Sequence, residues 1–175
     1  MTEEYSYEIK IPKERVAVLI GKKGEIKKQL EQSTKTKIDV DSKEGEITLT
    51  GKDAIKLYTA REVIRAIARG FNPETAQQLI KQDYGLEIII IPSRNKSELE
   101  RLKGRIIGQE GKSRRTIESL TTTWISVYGK TVSILGPFAG LELARKAIQM
   151  LINGSMHSAV FRMLEKRRKE LEKYE

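Results

Sequence analysis

Two stretches decide how this chain folds: Val18-Leu19-Ile20-Gly21-Lys22-Lys23-Gly24 and, 87 residues later, Arg105-Ile106-Ile107-Gly108-Gln109-Glu110-Gly111. Each is an apolar run that ends in Gly-x-x-Gly. The same offset places Leu30 on Ile117, Ile38 on Ile125 and Val40 on Val127. Further on it shrinks: Gly51 falls on Gly136, Ala60-Arg61 on Ala144-Arg145, Ile64 on Ile148 and Gly70 on Gly154. A repeat of this period is one structural unit written twice. The second copy is shorter around its hairpin turn, where deletions are cheapest.

Each copy reads in the same order. Tyr5, Tyr7, Ile9 and Ile11 alternate as a strand that Pro12 ends, and Pro12 can open a helix over Glu14 to Ile20. Gly21 to Gly24 breaks that helix, and a second runs from near Gly24 to about Gln32. Lys37–Asp41 and Glu46–Thr50 alternate as strands about a turn at Ser42 to Gly45. Leu57, Ala60, Ile64 and Ile67 then make one apolar stripe on a helix from Lys52 to Arg69, with Gly70 as its stop. In the second copy, Leu86 to Ile91 is the strand ended by Pro92, and Ser97 with Glu100 suggests a capping box. Helices follow up to Gly108 and from Lys112 to Leu120, then strands Trp124–Tyr128 and Thr131–Leu135 about Gly129-Lys130. A helix over Leu141 to Ile152 completes the copy. The pattern βααββα, twice, is an α+β fold with helices on one face of a three-stranded antiparallel sheet. Asn72-Pro73 opens a short helix, about Glu74 to Gln82, between the copies, and a last helix runs from Ser155 to about Lys173. The boundaries read as 1–71 and 85–154 for the two domains, 72–84 for the linker helix and 155–175 for the C-terminal helix, packed on or extending the second domain.

Composition restricts the function. The chain has 175 residues, no Cys, one His and a net charge of +9. Disulfides and thiolate metal sites are therefore excluded, and a zinc site would need carboxylates alone. No apolar run approaches the roughly 20 residues that cross a bilayer. The start, Met1-Thr2-Glu3-Glu4-Tyr5, is acidic without an apolar core, so a cytoplasmic location is expected. A basic chain favours a polyanionic partner. Residues 1–84 carry 16 Lys and Arg against 14 Asp and Glu, and residues 85–175 carry 17 against 10, so the excess lies in the second half.

A Gly-x-x-Gly between two helices lets a phosphate backbone approach the N-terminus of the second helix. Bases would then lie over an apolar groove walled by Leu19, Ile20 and Ile26 in the first copy, and by Ile106, Ile107 and Ile125 in the second. The two clamps differ in charge. Gly21-Lys22-Lys23-Gly24 presents two ammonium groups, with Lys27 and Lys28 a turn later. Gly108-Gln109-Glu110-Gly111 presents a carboxylate, but Arg105 precedes it and Lys112, Arg114 and Arg115 follow. Several cations outweigh one exposed carboxylate, which favours the second copy for RNA.

Ile20-Gly21-Lys22-Lys23-Gly24 and Ile107-Gly108-Gln109-Glu110-Gly111, each after a strand and a helix, resemble the signature of type I KH domains. Gly104-Arg105-Ile106-Ile107-Gly108, and Gly154-Ser155-Met156-His157-Ser158-Ala159-Val160 running on to Glu165, resemble more narrowly the archaeal and eukaryotic partner-of-Nob-one family of small-subunit ribosome assembly factors. That resemblance implies a non-enzymatic single-stranded RNA-binding protein without a cofactor, placed near the 3′ end of pre-small-subunit ribosomal RNA. It implies partnership with the Nob endonuclease or other ribosome assembly and translation factors. It also implies that the second domain is the main RNA contact. Eukaryotic members have a degenerate first clamp, whereas both glycines stand here. The rivals are a general single-stranded nucleic-acid binder and a protein-interaction scaffold built from KH folds.

Some features read otherwise. Gly111-Lys112-Ser113 ends like a phosphate-binding nucleotide loop, but Ile106 stands where that motif needs glycine. His157 reads as a capping or packing histidine. Arg162, Lys166, Lys169 and Lys173 form a basic stripe, either a solvated face with Glu165–Lys169 pairing or a track for RNA backbone. Trp124, Ser126 and Tyr128 point away from Ile125 and either stack bases or pack between the domains.

Overall fold

The computed structural model describes residues 3–174; Met1 and Thr2, part of the N-terminal stretch read above, lie outside them, as does Glu175. The chain divides into two compact units, residues 1–82 and 83–175.

In the first unit β1 (Tyr5–Lys10) leads into α1 (Lys13–Ile20), α2 (Glu25–Thr34), β2 (Lys37–Asp41), β3 (Glu46–Gly51) and α3 (Ala54–Ala68). The strands lie antiparallel in the order β1-β3-β2. Alternation along β2 and β3 puts Ile38 opposite Leu49 and Val40 opposite Ile47. Ile38, Ile47 and Leu49 are buried with Leu19, Leu30, Leu57 and Ile64 from the helices. That shared apolar face fixes the register, because a one-residue slip would turn each strand's apolar side outward. Asp53 caps α3 by accepting from the N–H groups of Ile55 and Lys56. The segment after it differs from one uniform helix. Asn72 caps a short α4 (Pro73–Ala76), which tightens into a 3₁₀ turn at Gln77–Ile80. Ala76 and Leu79 are buried and the segment packs on α3, so it belongs to the first unit's core.

The second unit repeats the plan with β4 (Tyr84–Ile90), α5 (Lys96–Ile107), α6 (Lys112–Thr121), β5 (Trp124–Tyr128), β6 (Thr131–Pro137) and α7 (Phe138–Ile152). Its sheet order is β4-β6-β5, again antiparallel. The first hairpin spans Ser42 to Gly45 with Asp41 accepting from Lys43 and Glu44, whereas Gly129-Lys130 alone closes the second. That two-residue difference takes the offset from 87 to 85, and one more residue is lost between Gly51 and Ala60. The helix α8 (His157–Leu171) runs on well past the length of the short α4 and 3₁₀ turn that follow α3 in the first unit, and it buries Val160 and Leu164 in the second unit's core. The capping box expected at Ser97 and Glu100 is displaced by two residues. Asn95, extended at φ −152°, accepts from the Glu98 N–H, and the Glu98 carboxylate accepts from the Arg94 N–H. An amide oxygen at the true first turn satisfies donors that Ser97, already inside the helix, cannot reach.

The duplication extends to polar detail. Glu31 accepts from the Ile38 N–H at 2.9 Å, and Glu118 accepts from the Ile125 N–H at 2.8 Å. Thr34 with Thr36 and Thr121 with Thr123 make matching buried hydroxyl pairs, at 2.7 and 2.8 Å. Lys35 and Thr122 close α2 and α6 with φ of 51° and 56°. A β-branched residue is rarely found in that conformation, so packing rather than preference holds Thr122 there.

Candidate nucleic-acid interface

The two loops have one backbone. Gly21 and Gly108 stand at φ 73°, ψ 178° and φ 75°, ψ 174°, a region open only to glycine. Lys23 and Glu110 follow at φ 55° and 53°, then Gly24 and Gly111 at φ 75° and 74°. Each loop is closed by a 3.2 Å bond from the fourth residue's N–H to the first residue's carbonyl. The space beneath is equally strict. A Cβ on Gly108 would meet the Ser113 Cβ at 2.6 Å, and one on Gly21 would collide with Ile26. Beyond the loop, neither α2 nor α6 has a side-chain cap among the described residues, although the first N–H of each bonds back to the loop, Glu25 to the Lys22 carbonyl and Lys112 to that of Gln109. An anion is the ligand such a helix start favours. Glu25 lies in the first turn of α2, while α6 carries no acid in its first turn.

Side chains distinguish the two sites. Lys22 and Lys23 are exposed, but Lys27 is 3.7 Å from the Glu31 carboxylate, which already holds the start of β2. In the second unit Gln109, Glu110, Lys112 and Arg115 are exposed. The Arg115 guanidinium crosses Gly111, where a Cβ would meet its Nη1 at 2.9 Å. Arg114 occupies the place of Lys27, and no ion pair with Glu118 is formed; its buried Nε has no hydrogen-bond partner among the described residues.

Several expected residues are placed elsewhere. Arg105 does not reach for a phosphate: its Nε donates to the Leu151 carbonyl at 3.0 Å and its Nη2 to the Ser155 carbonyl, closing the end of α7. Arg15 does the same for α3, donating to the Ile67 and Phe71 carbonyls at 2.8 Å. The acceptors correspond in the two copies, although the arginines sit one helical turn apart in their sequences. Ile125 is 3% exposed and belongs to the core, as do Leu19 and Ile106, so these three do not wall a groove. The physical reason is depth: alternation puts Ile125 on the helix side of the sheet, and the helices cover it. Val127, two residues on and so on the same face, is only half-buried. Ile20 and Ile107 are half-buried at the foot of their loops, where an apolar wall is available.

Beside the second clamp is a cleft of about 510 Å³ lined by Arg101, Gly104, Gln109, Lys112, His157 and Phe161. Its α8 side is not legible in the sequence repeat because a helix outside the repeat supplies it. The basic stripe on α8 makes no Glu165–Lys169 pair. The ion pairs there are Arg167–Glu170 at 3.3 Å and Arg168–Glu172 at 3.1 Å, leaving Arg162, Lys166 and Lys169 without one among the described residues. Trp124 lies 6.4 Å from the Tyr84 ring. Among the described residues, no three His, Asp or Glu side chains are grouped to hold a metal ion, and no helix is long and apolar enough to cross a membrane.

This geometry agrees with what known proteins show. Residues 6–66 match the KH domain family, and residues 86–169 match the eukaryotic-type KH domain (type I) family that represents the second KH domain of PNO1. A KH domain-containing protein of Methanocaldococcus jannaschii is 45% identical over 94% of this chain and 75% of its own length. The chain belongs to the tandem KH-domain family of PNO1 and Dim2p. Crystalline Dim2p of Pyrococcus horikoshii is 44% identical, with a TM-score of 0.87 over 93% of this chain and 99% of the other. The same protein in a complex with a/eIF2α and rRNA gives a TM-score of 0.89 at 44% identity, over 95% and 96% of the two chains. A protein of Aeropyrum pernix described as of unknown function gives 0.93 at 35% identity, over 98% and 95%.

Proposed function

We propose that this protein is a non-enzymatic small-subunit ribosome assembly factor that binds single-stranded RNA near the 3′ end of pre-small-subunit rRNA, chiefly through its second KH unit. The observation that carries the assignment to that unit is the absence of acid from the first turn of α6. The helix start and its Lys112, Arg114 and Arg115 face no acid in that turn, whereas Glu25 stands in the first turn of α2. Phosphates would sit at Gly108–Gly111, and bases would lie beside Ile107. The presence of Dim2p from Pyrococcus horikoshii in a complex with rRNA and a/eIF2α supports both the RNA and a translation initiation factor as partners. A Nob-type endonuclease would act on the RNA so presented.

The test uses the double substitution Gln109→Asp with Glu110→Asp. Aspartate accepts the left-handed backbone of position 110 more readily than glutamate, so the fold is preserved while a second carboxylate is set against the phosphates. Binding of a labelled 3′-end rRNA oligonucleotide at moderate salt is expected to fall at least 30-fold, with Tm unchanged. Unchanged affinity refutes the second clamp. A scrambled oligonucleotide that competes equally well would make the protein a general single-strand binder.

A further inference from the structure

Gly104 stands inside α5, where glycine weakens a helix relative to alanine. Nothing packs against it: a Cβ built there meets no atom within 4 Å. The free protein therefore gives no reason for a missing side chain, and the space opens onto the cleft beside the second clamp. Arg101, Gly104 and Arg105 recur at helical spacing along α5, and Gly108 follows at its end. The opposite wall comes from α8. His157 and Phe161 have ring centroids 6.1 Å apart, tilted by 60°. The His157 Nε2 donates to the Arg105 carbonyl at 2.7 Å, which fixes that ring.

We infer that this cleft is a nucleobase pocket, in which one base next to the phosphates held at Gly108–Gly111 turns out of the strand and lies over Gly104 against Phe161 and His157. The inference rests on the reading that the second clamp holds RNA. Three features point to a base rather than a peptide side chain. The cleft is continuous with the clamp through Gly108, Gln109 and Lys112. Arg101 and Lys112 bring positive charge to it and no carboxylate lines it, which suits a polyanionic strand. Its volume, about 510 Å³, is that of a small-ligand site, and aromatic walls stack any base. Lys112 would hold the phosphate at the mouth, and the Gln109 amide could bond a base edge. At the places of His157 and Phe161 the first unit carries Pro73 and Gln77, so the pocket would belong to the second clamp alone.

Gly104→Leu fills the floor of the cleft with a strong helix former, so a loss of binding cannot be ascribed to unfolding. The probe is a short, labelled single-stranded RNA from the 3′ end of small-subunit rRNA, together with a series in which each base in turn is replaced by an abasic site. In the wild-type protein one abasic position is expected to cost roughly tenfold in affinity. Gly104→Leu should bind the intact RNA roughly tenfold more weakly, lose nothing further at that position and melt no lower than wild type. Phe161→Leu, which keeps apolar bulk, should reproduce the loss. Wild-type affinity in Gly104→Leu overturns the pocket, as does an abasic penalty that persists in that variant or is absent from the wild type. If Gln109→Asp with Glu110→Asp abolishes binding while Gly104→Leu does not, only the pocket fails. If neither substitution matters, the clamp reading fails with it.

Discussion

Gly21–Gly24 and Gly108–Gly111 superimpose in φ to within 2° at the first, third and fourth positions, yet they carry opposite charge at their tips. The first has Lys22 and Lys23 at the tip, Glu25 in the following turn and Lys27 spent on Glu31. The second has Glu110 at the tip, but its following turn is free of acid and the buried Nε of Arg114 has no hydrogen-bond partner among the described residues. The loop sequence alone would choose the first clamp for an anion. The groups around the helix start separate the two differently, because α6 has no acid in its first turn whereas Glu25 stands in that of α2. A loop motif thus specifies a backbone, and neighbours that the motif does not include decide what the backbone can hold.

The comparison is broken most severely at the first glycine. Gly108→Ala places a Cβ in a glycine-only conformation and 2.6 Å from the Ser113 Cβ. A loss of about 3 kcal/mol or more is expected, seen as a fall in Tm. Gly111→Asn should cost no more than about 1 kcal/mol, because asparagine tolerates the left-handed region and only the flexible tip of Arg115 must move. Equal losses at both positions would show that the two glycines are not distinct in kind.

A smaller effect separates structural from functional arginine. Arg105→Ala removes two bonds to the end of α7 and should lower stability by about 2 kcal/mol without changing the salt dependence of RNA binding. Arg115→Ala should do the reverse, lowering the slope of log K against log salt by about 0.7 and leaving Tm in place. A reduced slope in Arg105→Ala would return that residue to the phosphates. The smallest effect concerns the tip itself. Glu110→Lys gives the second loop the residue that already occupies the same backbone at Lys23, and affinity should rise roughly three- to tenfold at about 0.1 M salt. No gain would place the tip away from the RNA.

Much of this architecture is legible in the chain before it folds. Recurrence at an offset that changes only past the hairpin exposes the duplication, and periodicity sets the order of elements within each copy. The two glycines of each loop mark where the helices break. Boundaries are less legible. Asn95 rather than Ser97 caps α5, because a cap depends on which residue first leaves the extended conformation. The segment after Asn72 tightens into a 3₁₀ turn as Ala76 and Leu79 are drawn into the first core.

The sequence by itself determined what is local or periodic: the βααββα repeat, the paired glycines, the charge asymmetry and the family signature at 104–108 and 154–165. Tertiary structure alone decided what each cation is for and how deep each apolar residue lies. Arg105 and Arg115 are equally basic in the sequence, but the acceptors of Arg105 lie 46 and 50 residues away, and only folding brings them within reach. Ile125 and Val127 share a strand face, but the helices cover the first more fully than the second. Alternation fixes direction, whereas burial depends on what is packed above.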